Sequence, residues 1–243
     1  MKKIRNHILL FFIVFIGSNG LAQQTITFSS LDGLTITADL YLVDTRKPYI
    51  LLLHQAGYSR GEYREVAPRL TKLGYNCLAI DQRSGYEVNF VRNETAKLAK
   101  EKNLPADYPD ALQDIEAAVN YIKAKTDLPI VIWGSSYSAS LALIVAAQDL
   151  RIKAAVAFSP GEYFNQDGFV KSKISKLSVP ILVLSSRGEC EMVKDVCASV
   201  QPELTTFYCP TDAGKHGSKA LWKSNPSSKD YWMTVTIFFS KLK

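Results

Sequence analysis

The amino-acid sequence predicts an α/β protein with a mostly parallel, doubly wound sheet and an antiparallel hairpin at its N-terminal edge. The unbroken apolar run 49–53 and the largely apolar segment 152–158 alternate with segments rich in helix formers. This alternation is typical of a parallel sheet covered by helices on both faces. Residues 34–42 instead alternate apolar with polar side chains after an Asp-Gly turn at 32–33, which favours a half-buried hairpin.

The first twenty-two residues have the composition of a secretory signal peptide. Lys2, Lys3 and Arg5 precede an apolar run over 8–16, and small residues follow up to Ala22. This run is too short to span a bilayer as a helix, which takes about 20 residues. We therefore expect cleavage near Ala22, no stable membrane insertion afterwards, and a secreted or periplasmic protein. An uncleaved membrane anchor is the alternative.

Residues 23–243 suit one α/β domain, because 47% hydrophobic residues are enough for a full core. The formal net charge is +6, and the predicted leader carries three of the positive charges and no acidic residue, which leaves +3. This surplus is too small and too dispersed to indicate nucleic-acid binding. The oligomeric state is left open.

Four cysteines fall in the expected mature chain, which export would bring into an oxidising compartment. Cys77 lies in an apolar strand and is expected to be a buried, small hydrophobic residue. A local disulfide between Cys190 and Cys197 is one candidate pairing. Pairings that involve Cys209 are also open, because the sequence does not choose among them. No pair of cysteines has zinc-type spacing with a histidine, so we expect no metal site.

The remaining elements follow from local composition. The segment 86–109 is irregular, and we expect it to form either one wall of a cleft or a solvated insertion. The other expected elements are, in chain order, strand 49–53, helix 62–73, strand 75–80, helix 110–123, strand 129–133, a helix from about Ser136, strands 152–158, 179–185 and 205–209, and a C-terminal helix over 219–241.

The segment 128–148 carries the strongest functional pattern, a buried strand that breaks at Gly134 into an apolar helix. A sharp turn between strand and helix exposes a side chain and offers unpaired helix N-terminal N–H groups, and a serine nucleophile needs both. Ser136 is favoured because Gly134 and Ser138, two positions before and after it, are small. The neighbours of Ser135 at the same spacing are bulky.

Elimination identifies the expected general base. His7 lies in the predicted leader, so the base is His54 or His216. His216 lies between the last strand and the last helix, and glycines at 214 and 217 let such a loop carry a side chain over the sheet edge. His54 ends a strand whose following loop would supply backbone N–H groups. We therefore expect His216 to be the base.

An acidic residue that orients this histidine should follow a strand between Ser136 and His216. Glu189 and Glu191 both follow the expected strand 179–185. Glu189 is the first choice and Glu191 the alternative. Asp212 is closer to the histidine in sequence, but we expect it to serve as a turn residue.

Together these motifs resemble the α/β-hydrolase family, and within it the branch of dienelactone-hydrolase-like proteins and small secreted serine esterases. The order of serine, acid and histidine is that of the family. The resemblance covers 23–243 and rests on HQAG at 54–57, DQRSG at 81–85, GSSYS at 134–138 and HG at 216–217. The chain departs from the family pattern at three points. Ser138 replaces a glycine, the acid is a glutamate where aspartate is commoner, and HQAG replaces an HG-type oxyanion motif.

The resemblance implies that the backbone N–H groups of Tyr137 and of Gln55 or Ala56 form an oxyanion hole. It also implies a carboxylic-ester hydrolase that forms an acyl-enzyme without metal or cofactor. Only about twenty residues separate the expected strands 152–158 and 179–185. These are too few for a large lid domain, so we expect an open cleft for small or carbohydrate-linked esters. A non-catalytic binding protein and a serine peptidase of the same fold are the alternatives.

Overall fold

The structure is a computed structural model that describes residues 23–242. The predicted signal peptide and its cleavage point before Gln23 lie outside these residues. Within them, no helix combines the length and the apolar character needed to cross a membrane.

Ten β-strands lie within residues 23–242, and eight of them form one central sheet. The strands are β1 (Gln23–Ser29), β2 (Thr35–Tyr41), β3 (Tyr49–Leu53), β4 (Asn76–Ile80), β5 (Glu87–Val88), β6 (Val91–Arg92), β7 (Ile130–Ser135), β8 (Ile152–Phe158), β9 (Ile181–Leu184) and β10 (Thr205–Tyr208). The order in the sheet is β1-β2-β4-β3-β7-β8-β9-β10, and every neighbouring pair from β4 onwards is parallel. β1 and β2 form the antiparallel edge hairpin. The predicted fold class is therefore confirmed.

Helices cover both faces of this sheet, because successive side chains of a strand point to opposite faces. Leu51 and Leu53 of β3 pack in one apolar cluster, and Ile50 and Leu52 pack in the other. The helices are α1 (Ala67–Lys72), α2 (Glu94–Glu101), α3 (Leu112–Lys123), α4 (Tyr137–Gln148), α5 (Phe169–Lys173), α6 (Cys190–Val196) and α7 (Ser228–Lys241). α3 and α4 cover the first face, and α1 and α7 cover the second.

Two predicted helices are shorter than expected, and a proline explains each difference. The helix expected over 62–73 is a 3-10 turn, Arg60–Tyr63, followed by α1 with Pro68 in its first turn. The helix expected over 219–241 is a 3-10 turn, Ser218–Leu221, followed by α7. Pro226 lies between those two pieces, where it lacks the N–H that a continuous helix would need.

The disulfide pairing differs from the local one considered above. Cys190 bonds to Cys209, with Cα atoms 5.8 Å apart, whereas Cys197 is buried and unpaired. A bond between Cys190 and Cys197 is excluded because they stand at the two ends of α6. Seven residues of helix separate Cα atoms by about 10 Å, beyond the reach of a disulfide. Cys77 is buried, as expected.

Candidate active site

Ser136, the predicted nucleophile, lies between the last residue of β7 and the first residue of α4. Its backbone has φ 61° and ψ −126°, a strained conformation for a residue that is not glycine. The strand and helix approach so closely here that a Cβ at Gly134 would lie 2.2 Å from the Ser138 carbonyl oxygen. This contact is the steric requirement for a small residue that the sequence suggested.

The hydrogen bonds of Ser138 explain why this position, which is usually glycine in the family, can hold a serine. Its Oγ donates to the carbonyl of Leu53 (2.8 Å) and accepts from the N–H of Ser135 (2.9 Å). The hydroxyl therefore fastens the turn at Ser136 to the end of the neighbouring strand β3. We infer that Ser138 shapes the turn and takes no part in chemistry.

His216 and Glu189 are in direct contact through Nδ1 and Oε1. The other oxygen of Glu189 accepts from Ser159 Oγ (2.8 Å), Ser186 N (3.0 Å) and Ser186 Oγ (2.7 Å). Burial alone would raise the pKa of Glu189, but the hydrogen bonds from His216, Ser186 and Ser159 outweigh it and lower this pKa to about 2. The carboxylate is therefore ionised at neutral pH and can hold a proton on Nδ1.

The alternative acid, Glu191, lies elsewhere. Its side chain is 89% exposed and pairs with Lys194 one helical turn along α6. Asp212 accepts from Ser227 Oγ, as suits a loop residue. The structure therefore brings Glu189, and not Glu191, to His216.

The backbone after His216 is held against the turn that carries Ser136. The N–H of Gly217 donates to Ser159 Oγ (3.1 Å), and the N–H of Ser218 donates to Ser135 Oγ (2.8 Å). A Cβ at Gly217 would lie 2.7 Å from the same Ser135 oxygen, and the positive φ of 71° also favours glycine. Ser136, His216 and Glu189 consequently lie at the same edge of the sheet, the carboxyl end of its parallel strands.

His54, the other candidate base, is completely buried. Its Nδ1 donates to the carbonyl of Gln55 (2.9 Å), and its Nε2 accepts from the N–H of Gln82 (3.0 Å). Burial lowers the pKa of His54 to about 4. A neutral imidazole with both nitrogens occupied ties the end of β3 to the end of β4 and is unsuited to proton transfer with a substrate.

The candidate oxyanion donors are only partly those expected. The N–H of Gln55 donates to Glu62 Oε2 (2.7 Å), so it is engaged inside the protein and is excluded as a donor to substrate. Of the two alternatives, Ala56 therefore remains. Tyr137 is the first residue of α4, where a helix N–H has no intrahelical acceptor.

Glu62 and Ser159 are two supporting residues that the sequence analysis missed. Glu62 is fully buried and accepts from Gln55 N and from Ser135 Oγ (2.7 Å), so one carboxyl joins the loop after β3 to the turn at Ser136. Ser159 links Glu189 to the loop of His216. A lone glutamate is usually solvated, and no pattern marked it. The Ser-Pro-Gly sequence that follows β8 was the only signal for Ser159.

Replacing Glu62 with glutamine should make the stability of the protein less dependent on pH. Burial raises the pKa of Glu62 from 4.5 to about 7 against the opposing hydrogen bonds of Ser135 and Gln55. Between these values the folded chain retains a proton that the unfolded chain has lost, so folded-state stability falls as pH rises. The shift corresponds to about 3 kcal/mol.

We expect the free energy of unfolding of the wild type, relative to Glu62→Gln, to fall by about this amount between about pH 4 and about pH 8. Urea denaturation across that range measures it. Glu65→Gln, a change of the same type at an exposed position nearby, is the control and should leave the slope of the wild type unchanged. Parallel pH profiles for the wild type and Glu62→Gln would contradict the assignment.

The residues described in 23–242 include no group of three or more His, Cys, Asp or Glu side chains arranged to hold a metal ion. The groups that the site brings together are a hydroxyl, an imidazole, a carboxylate and backbone N–H groups. This combination is suited to nucleophilic acyl transfer.

Comparisons with known proteins agree with this architecture. A thiohydrolase of Arthrinium phaeospermum is 28% identical over 145 residues, which are 58% of this chain and 44% of that protein. A thiohydrolase of Eupenicillium brefeldianum is 30% identical over 146 residues, which are 57% of this chain and 43% of that protein. The chain thus matches less than half the length of these relatives.

Solved structures match over most of the chain. An esterase of Pyrococcus furiosus superposes with a TM-score of 0.69 at 18% identity, covering 91% of both chains. A dienelactone hydrolase of Anabaena variabilis gives 0.68 at 16% identity, covering 90% of this chain and 97% of that one. At these identities the likeness shows the α/β-hydrolase fold. The model of the dienelactone hydrolase family matches residues 36–196, well over half of the sequence, and the chain therefore belongs to that family of hydrolases.

Proposed function

We propose that this protein is an exported serine hydrolase that cleaves carboxylic esters, with Ser136 as nucleophile, His216 as general base and Glu189 as the orienting acid. The observation that carries the proposal is the contact of His216 with an ionised, multiply hydrogen-bonded Glu189, at the sheet edge where Ser136 sits on its strained turn. Strain of this kind persists only where the surrounding structure holds it, and it concentrates at functional sites.

The reaction follows from these groups. His216 takes the hydroxyl proton as Ser136 Oγ attacks the ester carbonyl, and Glu189 stabilises the imidazolium that forms. The N–H groups of Tyr137 and Ala56 hold the negative oxygen of the tetrahedral intermediate. The carbon–oxygen bond to the alcohol breaks, and the alcohol leaves with the proton from His216. Water then attacks the acyl-enzyme in the same way and releases the acid.

Export is supported by two features of the chain. The N-terminal sequence has the basic, apolar and small-residue order of a signal peptide. The disulfide between Cys190 and Cys209 suits an oxidising compartment.

A second candidate activity is the hydrolysis of thioesters, because two relatives carry the name thiohydrolase. The same acyl-enzyme steps apply, with a thiol as the leaving group. Turnover of an oxygen ester and a thioester of the same acid, under equal conditions, distinguishes the two candidates. A preference for the thioester in kcat/KM would replace the ester proposal.

A fluorophosphonate probe with intact-mass detection tests the proposed nucleophile. We expect one adduct on the wild type and none on Ser136→Ala, because the probe needs an activated serine. Ser224→Ala, at an exposed serine far along the chain, should still be labelled. No adduct on the wild type, or an adduct that survives Ser136→Ala, would favour a non-catalytic binding protein. Faster cleavage of aminoacyl amides than of aryl esters would favour a peptidase.

A further inference from the structure

A cleft of about 510 Å³ opens beside the loops that follow β4 and β8. This volume falls within the usual range for small-molecule sites. One side is formed by the end of the irregular segment 86–109 and by Ser84, and the other by the loop after β8. The side chains that matter for its chemistry are Ser84, Asp107, Tyr108, Tyr163, Phe164 and Asn165.

Two lining side chains, Tyr163 and Tyr108, contact residues next to the proposed catalytic groups. The phenol of Tyr163 donates to the carbonyl of Ser159 (3.0 Å). Ser159 Oγ in turn donates to Glu189 Oε2 (2.8 Å), and Tyr108 stacks on Tyr137, the residue that follows Ser136. A group attached to an ester carbonyl at Ser136 can therefore extend into the cleft.

Three residues of the lining are aromatic, namely Tyr108, Tyr163 and Phe164. Tyr108 stacks on Tyr137 with ring centroids 4.4 Å apart and an interplanar angle of 18°. The Tyr137 hydroxyl accepts from Gln82 Nε2 (2.9 Å) and lies 3.2 Å from the Ser84 carbonyl, so the ring under Tyr108 is fixed. Tyr108 thus presents a flat, pre-positioned surface of the kind that binds another ring.

The charge of the cleft lining is negative. Among the described residues, the only charged side chain in its lining is Asp107, which is exposed at the rim. The nearest arginine in sequence to Ser84, Arg83, is fully buried and held by Asp32 and Asp114. The cleft therefore offers an anionic group no cation, and Asp107 repels it.

We propose that this cleft binds an uncharged aryl group of the substrate, stacked on Tyr108, and that Asp107 disfavours anionic substrates. The proposal rests on the proposed ester hydrolysis at Ser136 and names its substrate class: neutral aryl esters. Labelling by the fluorophosphonate probe tests the hydrolase itself, so a failure of the cleft assignment is distinguishable from a failure of the function.

The charge arm compares methyl 4-acetoxybenzoate, which is neutral, with 4-acetoxybenzoate, which is anionic. We expect Asp107→Asn to raise the ratio of kcat/KM for the anion to kcat/KM for the neutral ester about threefold at low ionic strength. The gain should disappear in about 0.5 M salt. The ratio between the two esters is compared across variants, so their intrinsic reactivities cancel.

Two features of the charge arm keep it interpretable. Asp107 caps the turn at Tyr108–Ala111, and asparagine caps equally well, so the fold should be retained. Asp127→Asn, at an exposed aspartate before β7 and thus at the opposite edge of the sheet, is the matched control and should leave the ratio unchanged.

The ring arm uses Tyr108→Leu, which keeps apolar volume and removes the flat ring. We expect KM for methyl 4-acetoxybenzoate to rise about three- to tenfold more than KM for ethyl acetate, which has no ring to stack. Tyr121→Leu removes a ring stacked on Phe28, outside the cleft, and is the control. In a protein that still reacts with the probe, an unchanged ratio in Asp107→Asn or an unchanged aryl KM in Tyr108→Leu would overturn the proposal.

Discussion

Replacing His216 with glutamine is expected to lower kcat for an ester by about 10⁴-fold or more. Such a loss corresponds to about 5.5 kcal/mol of transition-state stabilisation. The physical reason is that the Ser136 hydroxyl is a weak nucleophile until a neighbouring base accepts its proton. Glutamine has no basic nitrogen to do so. The measurement is kcat on a short-chain aryl ester, with burst kinetics to detect any remaining acyl-enzyme.

The control for His216 lies at the adjacent position. Lys215→Gln changes an exposed residue of the same loop and should keep kcat within about twofold of the wild type, as is usual for surface substitutions. Circular dichroism should show the same fold for both variants. Turnover by His216→Gln at the rate of the wild type would exclude His216 as the base.

Replacing Glu189 with glutamine is expected to lower kcat by about 10³-fold or more. The neutral amide cannot stabilise the imidazolium, and its NH₂ group competes with the acceptor role that His216 Nδ1, Ser186 and Ser159 require. KM should change far less than kcat, because the lost interaction belongs to the transition state.

Glu191→Gln is the matched control for Glu189. It removes the same charge two residues away, from a side chain that faces solvent and pairs only with Lys194. Its kcat should stay within about twofold of the wild type. Equal losses of kcat in the two variants, or a larger loss in Glu191→Gln, would show that Glu189 is not the orienting acid.

Glu189 also makes the stability of the folded chain depend on pH, in the direction opposite to that expected for Glu62. Its folded-state pKa of about 2 lies below the ordinary 4.5, so the ionised carboxylate favours the folded chain above about pH 4.5. This contribution is lost as pH falls towards 2. Protonation of Glu189 therefore cannot be the origin of any activity loss seen near neutral pH.

Local patterns were sufficient to predict the sheet and the position of the proposed nucleophile. Apolar runs mark buried strands wherever both faces are covered, and the small residues around Ser136 reflect a backbone crossing that permits no Cβ at Gly134. His216 was favoured as the base because the expected mature chain has only one other histidine. These inferences needed only short stretches of sequence or a residue count.

The supporting residues could not be predicted because their partners are remote in sequence. Ser135 lies 73 residues from Glu62, and Ser159 lies 30 residues from Glu189. The choice between Glu189 and Glu191 depended on the direction of single side chains at the start of α6. The 3-10 turn capped by Ser186 fixes that direction, and composition does not reveal it.

The disulfide shortens the covalent path between Glu189 and His216. Glu189 and His216 are 27 residues apart along the chain, but Cys190 follows the first and Cys209 precedes the second by seven positions. The oxidised chain therefore closes a loop about one third as long, which saves about 1 kcal/mol of loop-closure entropy. The oxidation state of the two cysteines, which the compartment sets, thus affects how readily Glu189 and His216 come together during folding.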